Sequence, residues 1–405
     1  MTRRAVVALG LSQCVNWGVL YYAFTVLVVP VSRDLGLSPW VATGAFSLAL
    51  LVSALLSPIV GARIDRGGGP AMMRAGGWAA AALLLLWAAF PGVAVLFVVW
   101  IGLGACMATT LYEPAFALVA RAQADPVERL RALALVTVFG GVASTVFLPS
   151  TDLLVRYGGW RAAVVALAAA LAASTLLLQA VVLVEVHSQG PGPGLDTLDG
   201  PSPAAPARAR AEPPDRAFLW AALTFGFASF AGAGLTANLV PALAERHVSP
   251  ATTALLGSAI GLMQLPGRVL LSAGGAAGSP VRLIAVSLGL QAAGLAGVAL
   301  APSIAVVAAA LMVFAGGAGL ATLARPHFTQ TWFGVDRSGA LNGRLARWQQ
   351  LARAAGPIGA AALASGVGYA AVLGGLGTGF AVLAIAWSRG AAHGATLRET
   401  RAAGW

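Results

Sequence analysis

Runs of about 20 or more apolar residues recur along the whole chain, at about 6–31, 40–62, 71–90, 93–119, 132–156, 161–184, 217–243, 251–272, 281–301, 303–333, 341–367 and 369–388. Short stretches of Arg, Gly, Pro and Asp separate them. Each run reaches across about 30 Å of hydrocarbon as an α-helix, and a helix keeps every backbone polar group satisfied where water is absent. The composition agrees: 59% of residues are hydrophobic and only 10% charged, with mean hydropathy +0.83, far from the roughly 25% charged residues of soluble domains. The expectation is an all-α membrane protein with twelve spans.

The first run follows "MTRR", a basic start like that of a signal peptide. It is too long for an apolar core of that kind and lacks a small-x-small cleavage site, so it is read as a retained first span. The net charge of +11 comes entirely from arginine, since the chain has no lysine. With the N-terminus inside, about 18 of the 25 arginines fall in cytoplasmic segments, a strong positive-inside bias. Arg33, Arg156, Arg161 and Arg246 lie on the other side. The membrane accounts for the charge, and nucleic acid is not an expected partner.

Cys14 and Cys106 both fall within spans, where a thiol packs as a small apolar group. The four histidines are scattered without ligand spacing, and there is no phosphate-binding glycine loop or supported nucleophile. Neither metal nor cofactor is expected, and the chain does not read as an enzyme.

Residues 185–216, rich in Pro, Gly, Asp and Arg, are the one long polar segment and read as a disordered cytoplasmic linker. It separates six spans in residues 1–184 from six in 217–388, followed by a cytoplasmic tail at 389–405. The halves match. "VVPVSRDLGLSPW" at 28–40 parallels "LVPALAERHVSPA" at 239–251, an offset of 211, and "TLYEPAF" at 110–116 parallels "TLARPHF" at 322–328, an offset of 212. Glu113 thus corresponds to Arg325 and Pro114 to Pro326. Parallel six-span repeats point to alternating access around a central site.

At the end of span 2 stands "GARIDRGGGP". Gly61, Asp65, Arg66 and Gly68 match the G-x-x-x-D-R-x-G signature in the 2–3 loop of the major facilitator superfamily, and with the six-plus-six spans and the central loop the chain resembles that family over nearly its whole length. The resemblance implies two pseudo-symmetric six-helix bundles, and it implies that the motif takes part in the conformational change. Physically, Gly61 permits a close helix approach, Asp65 can cap or pair at a neighbouring helix end, and Arg66 stays on the cytoplasmic side. Gly69 and Pro70 stand where the family usually has further basic residues. Span 4 has Trp100 before Gly104 instead of the R-x-x-x-G of many proton-driven members, and span 5 lacks the Gly-Pro of drug antiporters. The opening "NWGVLYYAFTVLVVPV" at 16–31 and an arginine in span 8, Arg268, are similar to the monocarboxylate and oxalate/formate branch.

Among the ionisable residues inside spans, four are singled out: Glu113, Arg268, Arg325 and Arg353. Each costs on the order of 2.5–3.5 kcal/mol at mid-helix, so such groups usually face the bundle interior and mark a pathway. Glu113 lies eight residues before Arg121, about 12 Å along a helix. Arg325 has the corresponding depth in span 10, and in the resembled family spans 4 and 10 both line the cavity. The pair is therefore expected to gate or couple, or else to form a permanent ion pair. Arg268 and Arg353 sit nearer mid-span and suit a carboxylate, which a guanidinium can bind with two parallel bonds. Gln13, Trp17 and Tyr21 share one face of span 1 at i, i+4, i+8. With Asn238 and Gln264 they are expected to complete a polar and aromatic substrate site.

These readings combine into a secondary transporter that acts as a monomer in a bacterial-type inner membrane with both termini cytoplasmic. It moves a small organic anion, with protons as the candidate coupling ion. Two alternatives stay open: an exporter of amphipathic or toxic molecules, and a transport-inactive sensor on the same fold.

Overall fold

The computed structural model describes residues 1–37, 39–90, 92–184, 216–248, 252, 256, 260–272 and 279–402. All regular structure among them is helical. Two compact bodies emerge. One comprises Met1–Asp215 with Phe333–Arg347, the other Arg216–Trp332 with Trp348–Trp405. The linker expected at 185–216 lies, up to residue 215, outside the described residues, and helix begins at Arg216.

In the first body, α1 runs Arg3–Asp34, its start capped by Thr2, whose side chain accepts from the Ala5 N–H at 3.3 Å. A π-helical turn, Gly18–Tyr22, interrupts it. Helix α2 spans Pro39–Arg63, and a π-type segment Ile64–Gly68 turns the chain into α3, Gly69–Ala89. Gly67 makes that turn at φ 90°, a conformation that side-chain-bearing residues avoid. Then come α4, Val93–Thr110, and α5, Tyr112–Ala122. Helix α6 is Pro126–Leu177, and a π-helical stretch continues it to Leu183. Asp125 caps α6 by accepting from the Val127 N–H at 3.0 Å, with Pro126 in the first turn where its missing N–H costs nothing.

Two apolar stretches are too long for one crossing. Gly44–Ala89 has 46 residues and Pro126–Val182 has 57, about 70 and 85 Å as helix against about 30 Å of hydrocarbon. Each is two crossings, joined at Gly67 and at Gly159 (φ 74°) respectively. Lipid provides no hydrophobic drive between helices, so they are held by close packing. The first body builds its core on Trp87, Trp100 and Trp160, which meet at ring separations of 5.8 and 5.3 Å, and Trp100 also meets Phe24 edge-on at 4.5 Å. Such aromatic pairs contribute about 0.5–1.5 kcal/mol beyond area.

In the second body, α7 is Arg216–Ala244, α8 is Leu265–Ser272, α9 is Pro280–Leu300 and α10 is Ile304–Phe333. Helix α11 covers Val335–Val367, with its residues up to Arg347 grouped in the first body. Helix α12 covers Tyr369–Ala402 and so extends well into the expected tail. Span 8 is described only in part. Helix α11 carries Arg337, Arg344, Arg347 and Arg353 and is less apolar than the other spans. Ser287 ties α9 to α10 by donating to the Gly317 carbonyl at 2.7 Å, and Trp387 ties α12 to α7 through Thr224 at 2.8 Å.

One difference from the sequence reading positions the site. Span 4, expected to be one helix over 93–119, breaks at Leu111, whose backbone is extended (φ −78°, ψ −153°). The cause is three residues downstream. Pro114 has no N–H to give the carbonyl four residues back and its ring crowds that carbonyl, which belongs to Thr110.

Candidate functional site

The freed Thr110 carbonyl is taken up by α1. Gln13 Nε2 donates to it at 2.9 Å and Asn16 Nδ2 at 3.1 Å. Both amides are buried, Gln13 completely. The break thus creates a buried polar spot in an apolar bundle, and the two amides satisfy it. Around it stand aromatic rings: Trp17 lies 4.9 Å from Tyr112 and 5.4 Å from Tyr21, and Tyr112 stacks on Phe116 at 5.0 Å. The Tyr112 hydroxyl fills a notch at Gly140, where a Cβ would meet that oxygen at 2.2 Å.

Because the chain restarts at Tyr112, Glu113 lies in the first turn of a new helix and is half-buried. A carboxylate there meets the positive end of the helix dipole. The break therefore makes a local place for a charge that a continuous span would not.

At the far end of α5, Arg121 donates to the Asp65 carbonyl. The Asp65 carboxylate turns toward the start of α11: Oδ1 accepts from the Gly339 N–H and Oδ2 from the Ala340 N–H, both at 2.7 Å. A carboxylate that accepts two backbone N–H groups is held by charge-assisted bonds. Gly61 lies one turn before Asp65, and a Cβ on it would stand 2.2 Å from the Gly339 carbonyl oxygen. Only glycine permits this approach. Arg66 is exposed, and Gly68 closes the turn before α3.

Three arginines of the second body, Arg268, Arg325 and Arg353, lie on three helices. Arg268 of α8, 5% exposed, donates to Gln264 Oε1 at 3.0 Å and to Thr322 Oγ1 at 3.2 Å. One turn along α10, half-buried Arg325 donates to Gln349 Oε1 of α11 at 2.7 Å. Arg353 is one turn further on α11 and is exposed. Gln264, Thr322 and Gln349 are neutral, and these bonds orient the guanidinium groups. Asn238 sits elsewhere in this body, as a hub between helices. Its Nδ2 donates to the Gly234 and Pro357 carbonyls at 2.9 and 3.0 Å, and its Oδ1 accepts from the Tyr369 hydroxyl at 3.2 Å.

The family model described as "Major Facilitator Superfamily" matches residues 9–324, well over half of the chain. The chain belongs to the major facilitator superfamily. It is a transporter fold and not an enzyme. No curated protein matches by sequence. Solved structures of the superfamily are similar across nearly the full length. The human organic anion transporter MFSD10 (TETRAN) has a TM-score of 0.72 at 18% identity, with 95% of this chain and 99% of that chain covered. The transporter FucP in its outward conformation gives 0.71 at 15% identity, covering 96% and 99%. A second structure, titled as the E. coli fucose:proton symporter FucP, gives 0.69 at 13%, covering 95% and 97%.

Within this superfamily fold the expected site residues fall into separate groups. Gln13, Trp17 and Tyr21 stand together in the first body, as do Gly61, Asp65 and Gly68. Arg268 and Gln264 touch each other in the second body, whereas Asn238 bonds to α11 and α12 instead. Four contributors went unnoticed in the sequence. Thr110 was detectable from Pro114 by the four-residue rule, and Tyr112 from its place beside the break. Thr322 and Gln349 gave no signal, since an uncharged residue on an apolar helix announces nothing about which arginine it faces.

Proposed function

We propose that this protein is a secondary transporter of small organic anions that works by alternating access in a bacterial inner membrane, with both termini on the cytoplasmic side. The observation that carries the substrate class is the arginine group of the second body, with Arg268 and Arg325 oriented by neutral Gln and Thr side chains. A small carboxylate is the natural ligand for planar, five-donor guanidinium groups. Similarity in fold to a human organic anion transporter agrees with this reading. Protons are the proposed coupling ion and Glu113 the proposed carrier, because it is a half-buried carboxylate within a span, where ionisable groups mark a pathway. A fucose:proton symporter among the similar folds points the same way. The Asp65 clamp on Gly339 and Ala340 is the proposed latch, made in one conformation and released in the other.

Counterflow of radiolabelled carboxylates in proteoliposomes tests the reading. Arg268→Lys and Arg353→Lys keep the charge and lose the planar fork, so at least one should lower carboxylate uptake by about tenfold or more. Unaltered uptake by both variants removes these residues from the site. The aromatic wall of Trp17, Tyr21 and Tyr112 favours one rival, an exporter of amphipathic molecules. Competition by such molecules in the absence of any effect from carboxylates would select it.

A further inference from the structure

We propose that Gln13 and Trp17 form a subsite for an uncharged hydroxyl group, and that this hydroxyl belongs to the transported molecule, so that the substrate class narrows to hydroxylated compounds. The inference rests on the transport reading only in assigning the hydroxyl to a substrate.

The orientation of the Gln13 amide is forced. Its contact with the Thr110 carbonyl must be made by nitrogen, because a carbonyl only accepts. Oε1 therefore points away from Thr110. It is completely buried and has no hydrogen-bond partner among the described residues, and the same holds for the indole Nε1 of Trp17. Residues four apart on a helix have Cβ atoms about 5–6 Å apart, so one small group can reach both. The two atoms are complementary: one needs a donor, the other an acceptor. A hydroxyl supplies both. A carboxylate only accepts and an ammonium only donates, so neither satisfies the pair.

Other tryptophans show that the pairing is what matters. Trp87, Trp100 and Trp160 also have unpartnered indole N–H groups, but they lie in the aromatic core with each other and Phe24 and Phe46. A buried amide oxygen one turn away distinguishes Trp17. A second feature marks the same place. The π-helical turn Gly18–Tyr22 begins at the next residue, and single π turns within α-helices recur at functional sites. The rings of Tyr21 and Tyr112 flank Trp17, giving the carbon skeleton of a hydroxylated ligand apolar faces to lie on.

The full chain in nanodiscs, labelled with ¹⁵N-tryptophan, offers a direct readout. The Trp17 indole signal is the one missing from Trp17→Phe. It should move saturably with glycerol, which has hydroxyls and no charge, and with glycolate. Half-saturation should lie at least about tenfold below that for acetate, and Gln13→Met should raise it by a similar factor. Asn16 still caps Thr110 in that variant. If Gln13→Met does not fold, thermal stabilisation of the wild type by glycerol, lost in Trp17→Phe, reads the same site. An indole signal indifferent to both hydroxyl probes, or equally sensitive to acetate, overturns the subsite and leaves Gln13 and Trp17 holding only water. The anion reading fails separately: carboxylates would not bind while glycerol still moved Trp17. Binding of glycolate that leaves Trp17 silent sinks the subsite alone.

Discussion

"TLYEPAF" and "TLARPHF" occupy corresponding places in the two halves, yet the first interrupts its helix and the second does not. Helix α4 stops at Thr110 and α5 restarts at Tyr112, whereas α10 runs from Ile304 to Phe333 with Pro326 inside it. Both prolines take the N–H from the carbonyl four residues back, Thr110 in one case and Thr322 in the other. The neighbourhood decides the outcome. In the first half α1 presents Gln13 and Asn16 to the bared carbonyl. At the repeat offset of 211 those positions are Thr224 and Phe227. Thr224 is occupied by Trp387, and Phe227 packs on Phe380 at 5.0 Å. Neither of these two positions offers an amide to the carbonyl; the second half keeps its helix whole, and its threonine hydroxyl holds Arg268 instead. A duplicated motif has become a neutral polar break in one half and a cation mount in the other.

The largest effect should come from stripping the cap. Gln13→Leu with Asn16→Leu leaves the Thr110 carbonyl buried and unsatisfied, which costs about 1–3 kcal/mol, together with the two lost hydrogen bonds. Thermal unfolding in detergent should show the loss. Adding Pro114→Ala restores an N–H four residues on and should recover at least half of it by letting α4 and α5 fuse. If Pro114→Ala gives no rescue, the proline is not what keeps the helix open.

Next is the charge difference between the motifs. Glu113→Gln and Arg325→Gln should each cost about 1–2 kcal/mol in transport, roughly 5- to 30-fold in uptake, discounted because both side chains are half-buried. The repeat suggests that the two act together. The double neutralisation should therefore lose less than the sum, and Glu113→Arg with Arg325→Glu should recover part of the deficit. Additive effects in the cycle would separate the residues and leave Glu113 explained by its place in the first turn of α5.

These residues also show where sequence reasoning stops. The span pattern, the repeat and the G-x-x-x-D-R-x-G turn were readable because hydropathy and glycine act locally. Asp65 was readable as a capping group, but its partners, Gly339 and Ala340, lie 274 and 275 residues away. Pro114 implied a bared carbonyl at Thr110. That amides from α1 would fill it depends on packing between segments 94 and 97 residues apart. Arg353 was placed by depth alone, and depth does not say which side of a helix is exposed.

Thr322→Val tests the cation mount with a smaller expected change. It removes one acceptor from Arg268 while Gln264 remains, so about 1 kcal/mol, or roughly fivefold, should appear in the KM for a carboxylate with little change in stability. An equal effect on KM for an uncharged probe would show that the hydroxyl supports the helix and not the guanidinium.

The smallest effect belongs to Pro326→Ala. In an isolated helix the exchange would favour the helix by about 3 kcal/mol, but a membrane helix already finds other partners for the freed carbonyl. Helix α10 is unbroken with the proline present, and the Thr329 hydroxyl reaches back to the Arg325 and Pro326 carbonyls at 3.2 and 3.1 Å. Little remains for alanine to repair, so stability should change by less than about 1 kcal/mol and uptake by less than about fivefold. Pro114→Ala in the wild type is the matched control. There the new N–H competes with Gln13 and Asn16 for Thr110, and fusion of α4 with α5 would displace Glu113 from its helix start, so transport should suffer while stability holds. Equal responses from the two prolines would mean that the halves still use the motif alike, and the contrast between break and unbroken helix would carry no functional weight.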